Sequence, residues 1–248
     1  RAGFPVAIDG IFGEQTCAFL QQFTDREKDC KVGDAQWELL FPYLKGYQTY
    51  RVEEGDSLFR IASRMHSTVQ RIVTANPTVD AANLTVGSML FVPFDFPLVS
   101  TQTAYTSLLT DWILEGLFIR YPFLHEESVG TSVMGRKMHV IQIGEGNTHV
   151  FYNASFHANE WITTPVLLKF AEDYAEAYSR GTQIAGVPAS WLYYSFRLSL
   201  LPLVNPDGVD LVNGVLPQPY VNQAMQIASG YPSIPFPQGW KANIEGID

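Results

Sequence analysis

Apolar residues recur at helical spacing in several stretches of this chain and gather into short strand-like runs in others. Thr16 to Phe23 places Phe19, Leu20 and Phe23 on one helical face. Asp34 is expected to cap a second short helix carrying Trp37 and Leu40. Residues 50–93 predict a β-α-α-β unit. Its strands are Tyr50–Val52 and Met89–Val92. Its first helix bears Leu58, Ile61 and Ala62 behind a cap at Asp56 or Ser57, and its second bears Val69, Ile72 and Val73 and stops before Asn76-Pro77. From residue 105 onward helices and strands alternate. Tyr105–Tyr121 reads as a helix with Leu108, Leu109, Trp112, Ile113 and Leu117 at helical spacing, and Thr163–Ser179 as an amphipathic helix. Lys137–Ile143, Thr148–Phe156 and Phe196–Val204 read as strands. The last of these ends at Asn205-Pro206-Asp207-Gly208, which reads as a turn. This alternation predicts an α/β arrangement, a mixed sheet flanked by helices.

Four segments follow: 1–47, a small helical unit; 48–94, the β-α-α-β unit; 95–104, a linker; and 105–248, the α/β segment. The chain has 248 residues, 46% hydrophobic and 17% charged, which suits a buried globular protein rather than a disordered one. The net charge of −9 argues against a nucleic-acid partner, which would require a basic face. No apolar run approaches the ~20 residues needed for a membrane span. Cys17 and Cys30 are compatible with a disulfide in an oxidising compartment and equally with two buried thiols.

The chemistry concentrates in Phe156-His157-Ala158-Asn159-Glu160-Trp161, between an expected strand and an expected helix. His and Glu three residues apart at such a junction can face one point. A hydrolytic zinc takes three protein ligands and keeps one position for water, whose pKa falls toward ~7. His157 and Glu160 offer two of those ligands, at the carboxyl end of a strand where ligand sites of α/β sheets collect. No histidine follows His157 in the sequence. His66, His125, His139 and His149 read as surface or strand residues. Trp112, Trp161, Trp191 and Trp240 read as core or pocket wall.

Three resemblances attach to these words. Asp9-Gly10-Ile11-Phe12-Gly13, Thr16, Phe23, Val32-Gly33 and Trp37…Leu40 resemble a three-helix peptidoglycan-binding repeat that lacks its first helix. Tyr50-x-Val52, Gly55-Asp56-Ser57-Leu58, Ile61-Ala62, Ala75-Asn76-Pro77, Leu84-x-x-Gly87 and Leu90-x-Val92-Pro93 look like a LysM domain over its full length. That resemblance implies binding of N-acetylglucosamine-containing glycan, with Gly55, Asp56, Ser57, Leu58, Asn76 and Pro77 at the glycan. His157-x-x-Glu160, Asn205-Pro206-Asp207-Gly208 and Trp240-Lys241-Ala242-Asn243-Ile244-Glu245-Gly246-Ile247-Asp248 resemble the N-terminal part of the zinc carboxypeptidase family. The combination resembles bacterial γ-D-glutamyl–diamino acid endopeptidases.

These resemblances imply Zn2+ held by His157 and Glu160, a peptidoglycan substrate (glycan strand and stem peptide), and a place outside the cell or in its wall, the spore wall included. Lys241 stands where the family often has an Arg that polarises the scissile carbonyl. The family's third ligand, its general-base Glu and its Asn-Arg pair for a substrate carboxylate have no counterparts here. The chain is therefore expected to be truncated and not to hydrolyse peptides alone. If it truly ends at Asp248, a partner segment, an oligomer or disorder after about residue 180 is expected. The alternative is a non-catalytic glycan-binding protein with a degenerate peptidase-like domain.

Overall fold

The computed structural model describes residues 14–24 and 33–248. The expected turn at residues 9–13, Cys30, Lys31 and Val32 lie outside the described residues, as does the Phe23 side chain. The chain divides into two compact units, Arg1–Leu98 and Val99–Asp248.

In the first unit, α1 (Glu14–Thr24) buries Cys17 and Leu20, and Cys17 is disulfide-bonded. Of the two states open to Cys17, the oxidised one is realised. Helix α2 (Asp34–Lys45) begins at Asp34, but its N-cap is Gly33, whose N–H donates to the Gln36 side chain at 3.0 Å. It closes on Gly46 at φ 76°, a left-handed conformation that glycine adopts without strain.

The β-α-α-β unit follows as β1 (Tyr47–Arg51), α3 (Leu58–Arg64), α4 (Val69–Ala75) and β2 (Met89–Pro93). The strands pair antiparallel, from Tyr47 opposite Pro93 to Arg51 opposite Met89. Both helices are capped by hydroxyls: Ser57 accepts from the Arg60 N–H and Thr68 from the Arg71 N–H. Val52, Leu58, Ile61, Ala62, Ile72, Leu90 and Val92 form the core. Asp56 is not the cap. Its carboxylate accepts from the Tyr50 hydroxyl at 2.7 Å and the Glu53 N–H at 2.8 Å, and these two bonds hold its pKa below the usual carboxylate value. Asn76 is buried, and its amide accepts from the Phe91 N–H (2.9 Å) and donates to the Phe91 carbonyl (2.7 Å). A side chain thus extends the ladder of β2 and fixes the end of α4.

In the second unit, Val99 donates its N–H to the Glu172 carboxylate at 3.1 Å and Tyr105 is fully buried, so the stretch read as a linker is anchored from Val99 on. Helix α5 (Ser107–Arg120) starts on a Thr106 cap. Then come β3 (His125–Thr131), β4 (Lys137–Ile143), β5 (Thr148–Asn153), a single 3₁₀ turn (Ala158–Glu160), α6 (Thr163–Ser179), a short hairpin of β6 (Gln183–Ile184) and β7 (Val187–Pro188), α7 (Ala189–Ser195), β8 (Phe196–Leu201), α8 (Pro206–Val212) and α9 (Gln218–Ala228). The main sheet has the order β3-β4-β8-β5. Strands β3, β4 and β8 run antiparallel, and β5 runs parallel to β8. A parallel pair needs a crossover, which α6 and α7 supply. Val140, Ile141 and Ile143 of β4, Leu198, Leu200 and Leu201 of β8 and Leu168, Ala171, Tyr174 and Ala175 of α6 are buried.

The mixed sheet flanked by helices is as expected. The strand read as Thr148–Phe156 stops at Asn153, and Asn205–Gly208 is the first turn of α8 rather than a free turn. Asn205 caps α8 by accepting the Gly208 N–H at 3.0 Å, and Pro206 stands at its first position, where its missing N–H costs nothing. Ordered elements continue past residue 180 to Ala228. Strand β5 forms one edge of the main sheet, with Phe151 and Tyr152 exposed. Among the described residues no helix is long and apolar enough to cross a membrane.

Candidate metal centre

Strands β5 and β8 are parallel neighbours, so their carboxyl ends lie side by side and deliver two loops to one place. The Ala154 N–H donates to the Leu201 carbonyl (2.9 Å), Val204 to Ala154 (3.1 Å) and Asn205 to Ser155 (3.1 Å). Ser155, at φ 48°, turns the first loop. It is held by its N–H to the Thr163 hydroxyl (2.7 Å) and its hydroxyl to that of Thr164 (2.6 Å), which donates to the Pro202 carbonyl (2.6 Å). Backbone strain of this kind persists only where the surroundings fix it.

His157 and Glu160 follow on the 3₁₀ turn, with His157 Nδ1 3.2 Å from Glu160 Oε1 and Nε2 3.3 Å from Asp248 Oδ1. Nδ1 is buried and has no hydrogen-bond partner, so its approach to Glu160 is a contact without bonding geometry. An orphaned imidazole nitrogen facing a carboxylate is the arrangement a shared cation would satisfy. Among the described residues, no group of three or more His, Cys, Asp and Glu is arranged to hold a metal ion. The pair therefore fits zinc as two ligands of a set.

Asn205 and Lys241 tie this loop to the end of the chain. The Ala158 N–H donates to the Lys241 carbonyl at 2.9 Å, and the Asn205 amide donates to the carbonyls of Lys241 (3.3 Å) and Ala242 (2.9 Å). Gly208 closes the junction: a Cβ there would lie 2.7 Å from the Ala158 Cβ. Lys241 is exposed and lines a cavity of about 350 Å3 together with Phe156, Val204, Asp207 and Asp248.

A second network, not legible beforehand, builds the far wall. Asp207, buried, accepts from the Ser132 hydroxyl (2.9 Å), the Met134 N–H (3.0 Å) and Arg136 Nη1 (3.0 Å). Arg136 Nη2 lies 3.1 Å from Asp210, which also accepts from the Ser107 N–H (2.8 Å) and hydroxyl (2.7 Å). One guanidinium thus joins two carboxylates one turn apart on α8 and clamps the β3–β4 hairpin against it. The Asn-Pro-Asp-Gly words pointed to the loop, but Arg136 comes some 70 residues earlier, and only the fold brings it there.

The six residues singled out in the β-α-α-β unit have mixed roles. Gly55 is exposed at φ 80°, Ser57 caps α3 and Pro77 is exposed. The Leu58 side chain is in the core, and the Asp56 and Asn76 side chains are engaged within the unit. They belong to the first unit and His157 to the second.

His139 lies half-buried on β4, with Nδ1 2.8 Å from Glu126 and Nε2 3.3 Å from Asp111. The two nitrogens meet different carboxylates, so they do not converge on a metal. Asp111 first, then Glu126, hold its pKa above the usual imidazole value against the opposing effect of burial. A raised folded-state pKa stabilises the fold fully below the unfolded value of about 6.5, and this is lost as pH rises through the folded value. The melting temperature of the second unit is expected to fall as pH rises from about 6 to 8, and His139→Gln is expected to flatten that slope. An equal slope in the variant, read by calorimetry across that range, would contradict the assignment.

The zinc carboxypeptidase family model matches residues 111–230, and the LysM domain model matches residues 50–93. The chain is 44% identical over 148 residues to gamma-D-glutamyl-L-diamino acid endopeptidase 1 of Lysinibacillus sphaericus, a match covering 58% of this chain and 36% of that protein. It is 40% identical over 131 residues to the protein YqgT of Bacillus subtilis (strain 168), covering 52% and 34%. It is 28% identical over 89 residues to a zinc carboxypeptidase of Saccharothrix mutabilis subsp. capreolus, covering 34% and 19%. The chain thus spans about a third or less of the length of these curated relatives.

Proposed function

We propose that this chain, a LysM domain followed by the front part of a zinc carboxypeptidase domain, belongs to a zinc metallopeptidase that hydrolyses peptidoglycan stem peptides at the γ-D-glutamyl–diamino acid bond. One observation carries the reading: His157 Nδ1, buried without a hydrogen-bond partner, faces the Glu160 carboxylate at the carboxyl ends of two parallel strands. These two residues would hold the zinc. Bound there, zinc would supply Lewis acidity and a water acidified toward pH ~7. Thr163, Thr164 and Asn205 keep the loop in place, and Lys241 brings a positive charge beside it.

The LysM domain would hold the enzyme on wall glycan and raise its concentration at an insoluble substrate, as linked sites do. We place glycan contact at Gly55, Asp56, Ser57, Leu58, Asn76 and Pro77, with Leu58 and Asn76 contributing backbone because their side chains are committed inside. Residues 1–47 are proposed as a second wall-binding module. The site of action that follows is the cell wall or the extracellular space.

Metal analysis of the whole protein tests the reading. Zinc should survive dialysis in the wild type and be lost in His157→Ala and Glu160→Ala, while glycan binding is kept. Zinc retained by both variants would overturn the ligand assignment. A wild type that binds glycan and never zinc would select instead a non-catalytic wall-binding protein.

A further inference from the structure

A γ-glutamyl amide is made through the side-chain carboxyl, so the glutamyl residue keeps a free α-carboxylate close to the bond to be cut. An ordinary α-linked peptide has no charge at that place. Resting on the peptidase reading, we infer that the cavity beneath α9 is the subsite for the γ-linked glutamyl residue and that Lys241 pairs with its α-carboxylate.

Three observations converge. First, Lys241 is fixed beside the metal pair, since its carbonyl accepts from Ala158, the neighbour of His157, and from Asn205. Second, its side chain lies on the seam of two cavities. It lines the one of about 350 Å3 beside Phe156 and a larger one of about 560 Å3 walled by Ile227, Tyr231, Phe236 and Trp240. Among the described residues its ammonium enters no ion pair, although the chain carries a net charge of −9. Third, the larger cavity's wall is largely apolar, with Ile227, Phe236 and Trp240 among its residues. Apolar walls suit the two methylenes of a γ-linked glutamyl chain, and the cation suits its α-carboxylate. The subsite therefore reads the linkage through the charge that the linkage leaves free.

The test compares a γ-D-glutamyl-L-lysine peptide with its α-carboxamide twin on the zinc-loaded whole protein, and measures equilibrium binding of both to the chelated protein. The wild type is expected to favour the carboxylate roughly ten- to hundredfold in kcat/KM and in affinity. Lys241→Gln is expected to lose that preference with zinc content unchanged, and Lys241→Arg to retain it. A wild type that treats the two peptides alike overturns the inference and leaves the peptidase reading standing. So does a Lys241→Gln protein slowed equally on both, which would make Lys241 a polariser of the scissile carbonyl. A wild type that binds and cuts neither peptide overturns both.

Discussion

Replacing Glu172 with alanine is expected to cost the second unit about 3–5 kcal/mol, the range for removing one partner of a buried ion pair. The Glu172 carboxylate, on α6, is 5% exposed, and Arg120 of α5, 1% exposed, lies 3.7 Å from it. The same carboxylate accepts the Val99 N–H, where the chain enters this unit. Alanine would leave the guanidinium buried without the charge facing it and would release the entering strand of chain. Exchanging both partners, as Arg120→Met with Glu172→Leu, should cost far less, because the desolvation of two charges is removed along with their attraction. Chemical denaturation followed by a probe in the second unit distinguishes these outcomes. A loss below about 1 kcal/mol for Glu172→Ala would show that the pair contributes no more than a surface one.

Asp207→Ala is expected to cost a similar amount, about 3–5 kcal/mol, and to weaken zinc binding without touching a zinc ligand. Asp207 accepts three hydrogen bonds from the β3–β4 hairpin, and Arg136 shares its charge between Asp207 and Asp210. Without the carboxylate, the Met134 N–H loses its acceptor and Arg136 one of its two anions. The hairpin wall, which includes Ser132 and Val133, would no longer be held against α8. Since Gly208 packs directly on Ala158, a shift of α8 reaches the His157 loop. Asp207→Asn keeps an acceptor and should lie between. A variant that melts lower yet binds zinc as the wild type does would separate the clamp from the site.

The parts of this fold that could be read in advance are those whose signals are local. The β-α-α-β unit depends on hydroxyl caps, short helices and two strands that all lie between Tyr47 and Pro93, close in sequence. Strand β4 and helix α6 carry their periods openly, whereas the buried face of α5 holds Ser107, Thr110 and Arg120 and leaves Leu108 exposed. Strand β3 does not: His-Glu-Glu-Ser-Val-Gly-Thr is exposed along its whole length, and its side-chain ties to β4 run from Glu126 to Lys137 and His139. The Asn-Pro of Asn205-Pro206 fits a turn and a helix start equally well, since both need a capping side chain and a preset φ. Helix α9 opens on Pro217-Gln218-Pro219, which reads as loop until its Val221, Ala224 and Ile227 face is seen against α8. At the site, the His157–Glu160 pair was legible because its two members lie only three positions apart. The Arg136 clamp, the seat of Lys241 and the engagement of Asp56 with Tyr50 depend on contacts that only the folded chain creates.

The claim that His157 and Glu160 serve a γ-glutamyl-cleaving enzyme is tested most directly by incubating the whole zinc-loaded protein with a γ-D-glutamyl–diamino acid peptide and identifying the products. Cleavage is expected at the γ-D-glutamyl–diamino acid bond, abolished by chelation and by His157→Ala. An intact peptide, or cleavage unchanged by chelation or in the His157→Ala protein, would contradict it.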